Sequence, residues 1–156
     1  MAFATNLLAM VIHTSPAVLY SYLYMSTAQV LFTPARLEEL LTRSRANNAR
    51  LGITGILAFR DGAFMQFIEG PQIAVETLFR KLKVDERHYA IVTLAEGPVS
   101  HRRFPRSPMD FRNLRDPAVR LVPGFEEFRD TSLTDTEFAY EPARAVRLLR
   151  LFQDGK

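Results

Sequence analysis

At 156 residues the chain is long enough for one domain with a real core, and 47% hydrophobic with 24% charged residues is ordinary globular composition, which excludes a disordered or fibrous class. A balance of 20 Lys+Arg, mostly arginine, against 17 Asp+Glu leaves a formal charge of +3 with no block of five like charges, so no direct nucleic-acid surface is expected. Zero cysteine removes disulfides, thiolate metal ligands and thiol-adduct chemistry together, and fits a reducing, cytoplasmic setting.

The first 35 residues contain no Asp, Glu, Lys or Arg. A signal peptide would need a positive n-region, and Asn6, His13, Thr14, Ser15 and Pro16 break the apolar run before the roughly 18 to 20 residues that a membrane span requires. Residues 1–17 therefore read as an extension ahead of the domain. Val18 to Met25 alternates aromatic and smaller residues, which predicts a strand with Tyr20, Tyr22 and Tyr24 on one face. After a loop, Thr33 and Pro34 supply an N-cap and a proline at the first helical position. The helix they open carries Leu37, Leu40 and Leu41 inward and Glu38, Glu39 and Arg43 outward, and is expected to end near Asn47-Asn48. Ile53 to Phe59 and Ala63 to Ile68 flank Arg60-Asp61-Gly62 and predict a tight hairpin with Asp-Gly at its bend. Gly70-Pro71 then starts a second helix with Val75, Leu78, Phe79 and Leu82 on one stripe. A polar loop from Asp85 to His88 leads into a fourth strand, Tyr89 to Ala95. Gly97-Pro98 turns toward a last, irregular edge strand, roughly Arg103 to Phe111, interrupted by Pro105 and Pro108.

This order predicts an α+β, ferredoxin-like βαββαββ sheet with two helices on one face. Ile53, Leu57, Met65 and Phe67 are assigned one face and Ile56, Phe64 and Ile68 the other, so both faces need cover. The tail can cover the second face. Pro142 opens a helix with Val146, Leu149 and Phe152 as an apolar stripe, and a shorter helical piece from Asp116 to Phe128 is broken at Pro123-Gly124. The expected organisation is an extension (1–17), a core domain (18–112) and a C-terminal helical extension (113–156).

Ordinary enzyme signatures are missing. His13, His88 and His101 lack metal-ligand spacing, Gly52 and Gly55 do not form a phosphate or dinucleotide loop, and no nucleophile elbow is present. What stands out is Gln66, an amide between Phe64 and Ile68 on one face of a strand, whose two N–H donors and two acceptor lone pairs need partners. In a ferredoxin-like sheet the first and third strands are central neighbours, so the Tyr24 phenol can meet that amide across the strands. Asn48 adds a third neutral polar group. Each can also be a satisfied core polar residue without any function.

LYMS at 23–26, NNARLGITG at 47–55, GAFMQFIEGP at 62–71, DERH at 85–88, LAEGP at 94–98 and RRFPRSPM at 102–109 resemble, in this order, the motifs of the BLUF family, blue-light sensors that use FAD. The resemblance covers about residues 18–112. It implies a flavin held non-covalently between the two helices: FAD, with FMN or riboflavin as alternatives. It implies Tyr24 as the photoactive tyrosine, Gln66 as the switching glutamine, and Asn47, Asn48, Asp85, Arg87 and His88 as cofactor contacts. The family chemistry is transfer of an electron and a proton from the phenol to the excited flavin. Rearrangement of the glutamine follows and leaves a new hydrogen bond on a flavin carbonyl. A chain that is a sensor and not an enzyme, that is a homo-oligomer, and that signals to an unidentified downstream protein is also implied.

One departure concerns the relay. Many family members carry a tryptophan two residues before the methionine of the final strand, where this chain has Ser107 before Met109 and no tryptophan anywhere. Ser107 is expected to be exposed, because Pro108 disrupts the strand around it, and Met109 is the better relay candidate. The arginine-rich helix from Arg144 to Arg150, or a bare side of the sheet, is the expected output surface. Rival readings are a small ferredoxin-like enzyme, a light-insensitive flavin-binding or interaction module, and a nucleic-acid-binding sheet with exposed aromatics.

Overall fold

A computed structural model describes residues 18–134 and 136–153, so the predicted extension 1–17 lies outside the described residues. Among the described residues five strands and four α-helices follow in the order β1 (Leu19–Ala28), α1 (Pro34–Leu51), β2 (Thr54–Arg60), β3 (Ala63–Pro71), α2 (Gln72–Lys83), β4 (His88–Pro98), β5 (Asp110–Asn113), α3 (Thr136–Tyr140) and α4 (Pro142–Arg150). The sheet order is β4-β1-β3-β2-β5, the ferredoxin-like arrangement with a fifth strand added parallel to β2. No helix among the described residues is long and apolar enough to cross a membrane.

The centre of the sheet is set by local chemistry. Asp61 (φ 51°) and Gly62 (φ 80°) both lie in the left-handed region, as a two-residue hairpin turn requires, and they pair Arg60 with Ala63. That register places odd positions of β2 opposite even positions of β3, so Leu57 faces with Gln66 and Ile56 with Phe67. The expected grouping of Leu57 with Met65 and Phe67 is thereby corrected. Opposed residues across an antiparallel pair share a face, and the two-residue turn fixes which ones are opposed. At Gly55 any Cβ would run into the Phe67 carbonyl oxygen, so the close approach of β2 to β3 there requires glycine.

Helix α1 begins as expected: Thr33 is the N-cap, its hydroxyl accepting from the Arg36 backbone N–H at 3.2 Å, and Pro34 follows. It does not end at Asn47-Asn48. It continues to Leu51 and stops at Gly52 (φ 72°), whose left-handed backbone ends the helix. Leu37 and Leu41 from α1, with Val75 and Phe79 from α2, pack on the face that carries Tyr22, Tyr24, Leu57, Phe64 and Ile68. The opposite face carries Leu23, Met25, Ile56, Met65 and Phe67, and the C-terminal segment covers it with Leu114, Phe125, Phe128, Phe138, Leu148, Leu149 and Phe152. The predicted piece from Asp116 to Phe128 is two 3₁₀ turns, Val119–Leu121 and Phe125–Phe128, with Gly124 (φ 91°) between them. The short α3 had no counterpart in the sequence reading.

Two buried charges clamp this second face. The Arg60 guanidinium donates to the carbonyls of Phe128 (3.0 Å), Thr131 (3.1 Å) and Arg129, anchoring the segment after the second 3₁₀ turn. Glu69, fully buried, accepts from the backbone N–H groups of Arg103 (2.9 Å) and Phe104 (2.6 Å) and from the Thr54 hydroxyl, which holds the chain after β4 against the sheet. The last strand is accordingly shorter and later than expected. Residues before Asp110 form turns around Pro105 and Pro108, which cannot donate to a ladder. The arginines of α4 are also largely committed: Arg144 pairs with Glu137 and Glu127, and Arg147 with Glu127 and Glu141. On that helix Arg147 and Arg150 remain exposed, and the edge strand β4 is exposed along most of its length.

Candidate functional site

Tyr24 on β1 and Gln66 on β3 are direct cross-strand partners. Both are buried, and the Tyr24 hydroxyl donates to Gln66 Oε1. The other end of the amide points along the sheet, where Gln66 Nε2 lies 3.5 Å from Met109 Sδ. Phenol, amide and thioether thus form one chain across β1, β3 and the start of the β5 segment. Burial pushes the Tyr24 phenol well above its usual range and the negative charge of Asp85 adds to this, so the phenol is a neutral proton donor at physiological pH. Phe79 of α2 lies over both tyrosines, stacked on Tyr22 at 4.2 Å between centroids and tilted to Tyr24 at 5.5 Å.

In front of this chain a cleft, open at its mouth, lies between α1 and α2. Its walls are Phe32, Leu40, Leu57, Phe64 and Leu82; its polar groups are Tyr24, Gln66, Ser26 and Ser44 inside and Asp85, Arg87 and His88 beside them. Ser26 Oγ is the one buried side-chain polar atom among the described residues without a hydrogen-bond partner. Buried hydroxyls are nearly always paired, so this one marks a place where a ligand completes the site. Asp85 accepts from the Arg87 backbone N–H at 3.0 Å and from Arg87 Nε at 2.9 Å. These bonds hold the Asp85 carboxyl below its ordinary value against the opposing effect of burial. His88 Nε2 is 2.7 Å from the Leu82 carbonyl, an acceptor only, so Nε2 is the donor in that contact.

The family model for sensors of blue light using FAD matches residues 19–110. The chain belongs to the BLUF family. Residues 19–110 are therefore a blue-light-sensing module of the kind that uses a flavin. Among relatives, the photoactivated adenylate cyclase subunit beta of Euglena longa is 33% identical over 87% of this chain and 16% of its own length. The blue light- and temperature-regulated antirepressor BluF of Escherichia coli is 35% identical over 51% of this chain and 20% of its own. The chain thus spans a fifth or less of the length of these curated relatives. Among solved structures, the dark state of the BLUF protein BlrB superposes with a TM-score of 0.74 at 31% identity, covering 90% of this chain and 98% of that one. The photo-activated state of BlsA superposes with a TM-score of 0.72 at 26% identity, covering 86% and 94%.

The residues present fit a BLUF flavin: flat apolar walls suit a planar ring, and the unpaired Ser26 hydroxyl with the Gln66 amide suits its polar edge. Five of the residues assigned by resemblance, Tyr24, Gln66, Asp85, Arg87 and His88, meet at the cleft. Asn47 and Asn48 do not line it. Asn47 Oδ1 accepts from Arg50 at 2.7 Å on the helix surface, and the buried Asn48 donates through Nδ2 to the Pro108 carbonyl at 2.9 Å. Ser107 is half-buried rather than exposed, because its hydroxyl accepts from the Met109 N–H at 3.2 Å, and it makes no bond to Gln66. The sequence reading missed Ser26 and Ser44. Both carried a signal: Ser26 follows Tyr24 at strand period, and Ser44 continues the Leu37-Leu40-Leu41 stripe.

Proposed function

We propose that the cleft takes FAD, that Tyr24 and Gln66 form the light-driven switch, that Met109 senses it, and that output passes to a partner protein in the cytoplasm. The observation that carries this reading is the Tyr24–Gln66–Met109 chain, with the amide at the wall of the cleft. When bound, a flavin supplies blue-light absorption and accepts an electron and a proton from a neighbouring phenol. The rest is work for the chain's own groups. In the resting arrangement Gln66 presents its carbonyl to the Tyr24 O–H and its N–H₂ to the Met109 sulfur, so each contact pairs a donor with an acceptor. Loss of the Tyr24 proton removes the donor that holds Oε1. A reversed amide, or its tautomer, then faces Tyr24 with a donor and the cofactor's ring edge with changed polarity.

FAD rather than riboflavin is favoured by a second cleft, which shares Phe32, Leu40 and Arg87 with the first and adds Arg36, Arg43 and Glu39, the last paired with Arg43 at 2.8 Å. Guanidinium groups there suit a diphosphate, which riboflavin lacks. A second copy of the chain is a further expected partner, on the strength of the resemblance alone.

The test is spectroscopic. The purified chain, loaded with FAD, should be yellow and show a reversible red shift of a few nanometres or more under blue light, lost in Tyr24→Phe and in Gln66→Ala. A protein that stays colourless after exposure to FAD, FMN and riboflavin would overturn the reading.

A further inference from the structure

A groove that shares no lining residue with the flavin cleft runs between the C-terminal end of α1 and the segment that precedes β5. Ala49, Gly52, Ile53 and Thr54 form one wall, and Arg102, Pro105, Arg106 and Pro108 the other. None of these residues is acidic. Arg102 is held rigid by donating to the carbonyl of Gly52 (2.7 Å), the Thr54 hydroxyl (2.9 Å) and the carbonyl of Glu69 (3.3 Å), with no carboxylate partner. Among the described residues the exposed Arg106 has no ion-pair partner, and Arg50, next to the lining Ala49 in the chain, donates to the Asn47 amide. The nearby carboxylate, Glu69, is fully buried and spent on two backbone N–H groups and a hydroxyl. The groove therefore combines fixed positive charge with proline and alanine surface, the complement of an extended acidic segment bearing small apolar side chains.

The same wall is wired to the switch. Pro108 lines the groove with its ring while its carbonyl accepts from buried Asn48. The next residue, Met109, touches Gln66 through its sulfur, accepts from Arg45 Nε through its carbonyl at 2.8 Å, and donates its N–H to Ser107. The Ser107 carbonyl in turn accepts from the Gly55 N–H at 3.2 Å. One peptide unit separates the group that contacts Gln66 from the ring that shapes the groove. We infer that this groove is a docking site for an acidic segment of a partner protein, and that movement at Gln66 changes its affinity through Met109 and Pro108. This inference rests on the light-switch reading for its trigger only; its charge preference stands on the groove.

The test titrates the full chain, loaded with FAD, with a short fluorescein-labelled peptide of glutamate, proline and leucine, in the dark and under blue light. The same peptide with glutamine for glutamate, and a short oligothymidylate, serve as comparisons, and the flavin absorption is recorded in each sample. The acidic peptide should bind in preference to its glutamine counterpart and to the oligonucleotide. Binding should weaken with added salt, and weaken about fivefold in Arg106→Glu, with Arg106→Gln between the two. Light should shift its affinity by about fivefold. Equal binding of the glutamine peptide, tighter binding of the oligonucleotide, or an unchanged affinity in Arg106→Glu would overturn the docking site. A normal red shift with identical dark and light affinities would overturn the coupling. Charge-dependent binding in a sample with no red shift would support the docking site and count against the sensor reading.

Discussion

The two faces of the sheet are built from the same strands and behave as opposites. On β3, Met65 and Phe67 point into a continuous apolar core under the C-terminal segment, while Gln66 between them points at the cleft between α1 and α2. The C-terminal face is closed: the charges at its margins, Arg60 and Glu69, have every contact directed at backbone groups or a hydroxyl of this chain. The helical face keeps a cleft, a hydroxyl without a partner at Ser26, and a phenol that burial holds neutral. A strand with period two lets one sequence serve both ends, stability on one side and a responsive polar chain on the other.

That division can be broken from either side. Phe138, fully buried in α3, belongs to the closed face, and Phe138→Ala should cost about 3 to 5 kcal/mol in a urea titration. The size of the light-induced red shift should be unchanged wherever the variant remains folded. A loss below about 1 kcal/mol would mean that the C-terminal segment is not part of the core. The open face should instead be sensitive at its mouth. The Asp85 carboxyl is held below its ordinary 3.8, first by the Arg87 hydrogen bond, so the pairing is complete above that value and is lost as pH falls through the lowered one. Flavin retained on a spin filter should therefore stay level from neutral pH to about pH 4 and decline below it, with the acid step reduced in Asp85→Asn. Release centred near pH 6 would assign retention to another group.

The sequence made the helical face legible where a single rule decides position. Alternation placed Tyr20, Tyr22 and Tyr24 together, the Thr33-Pro34 cap set the start of α1, and the Asp61-Gly62 turn set the hairpin. Tyr24 opposite Gln66 followed from the ferredoxin-like order. Positions that depend on where an element stops were harder. Asn47 and Asn48 were assigned to the cofactor by resemblance alone; the helix runs three residues past them to left-handed Gly52, with Asn47 bonded to Arg50 on its surface and Asn48 to the Pro108 carbonyl. The β5 segment was misplaced because its path is dictated by distant groups: Glu69 holding Arg103 and Phe104, and Gly55 holding Ser107, neither of which has a local sequence signature. Ile56 and Leu57 show the smallest cause, since the register of a two-residue turn decides which of two adjacent apolar residues faces the flavin cleft.

The mildest change tests the link between the faces most closely. Met109→Leu keeps volume and apolar character in a site only 1% exposed, so stability should change by less than about 1.5 kcal/mol. What it removes is the sulfur that accepts from Gln66 Nε2 at 3.5 Å. With methionine present, a reversed Gln66 would turn its carbonyl oxygen toward a sulfur that cannot donate, an unfavourable pairing that drives return to the resting arrangement. Leucine abolishes that repulsion along with the resting contact, so the reversed state is relieved of its penalty. A contact of this kind is worth roughly 0.5 to 1 kcal/mol, which corresponds to a thermal recovery about two to five times slower after illumination. The initial red shift should persist, because Tyr24 and Gln66 are untouched. A recovery rate equal to that of the parent protein would separate Met109 from the switch and leave its role as packing alone.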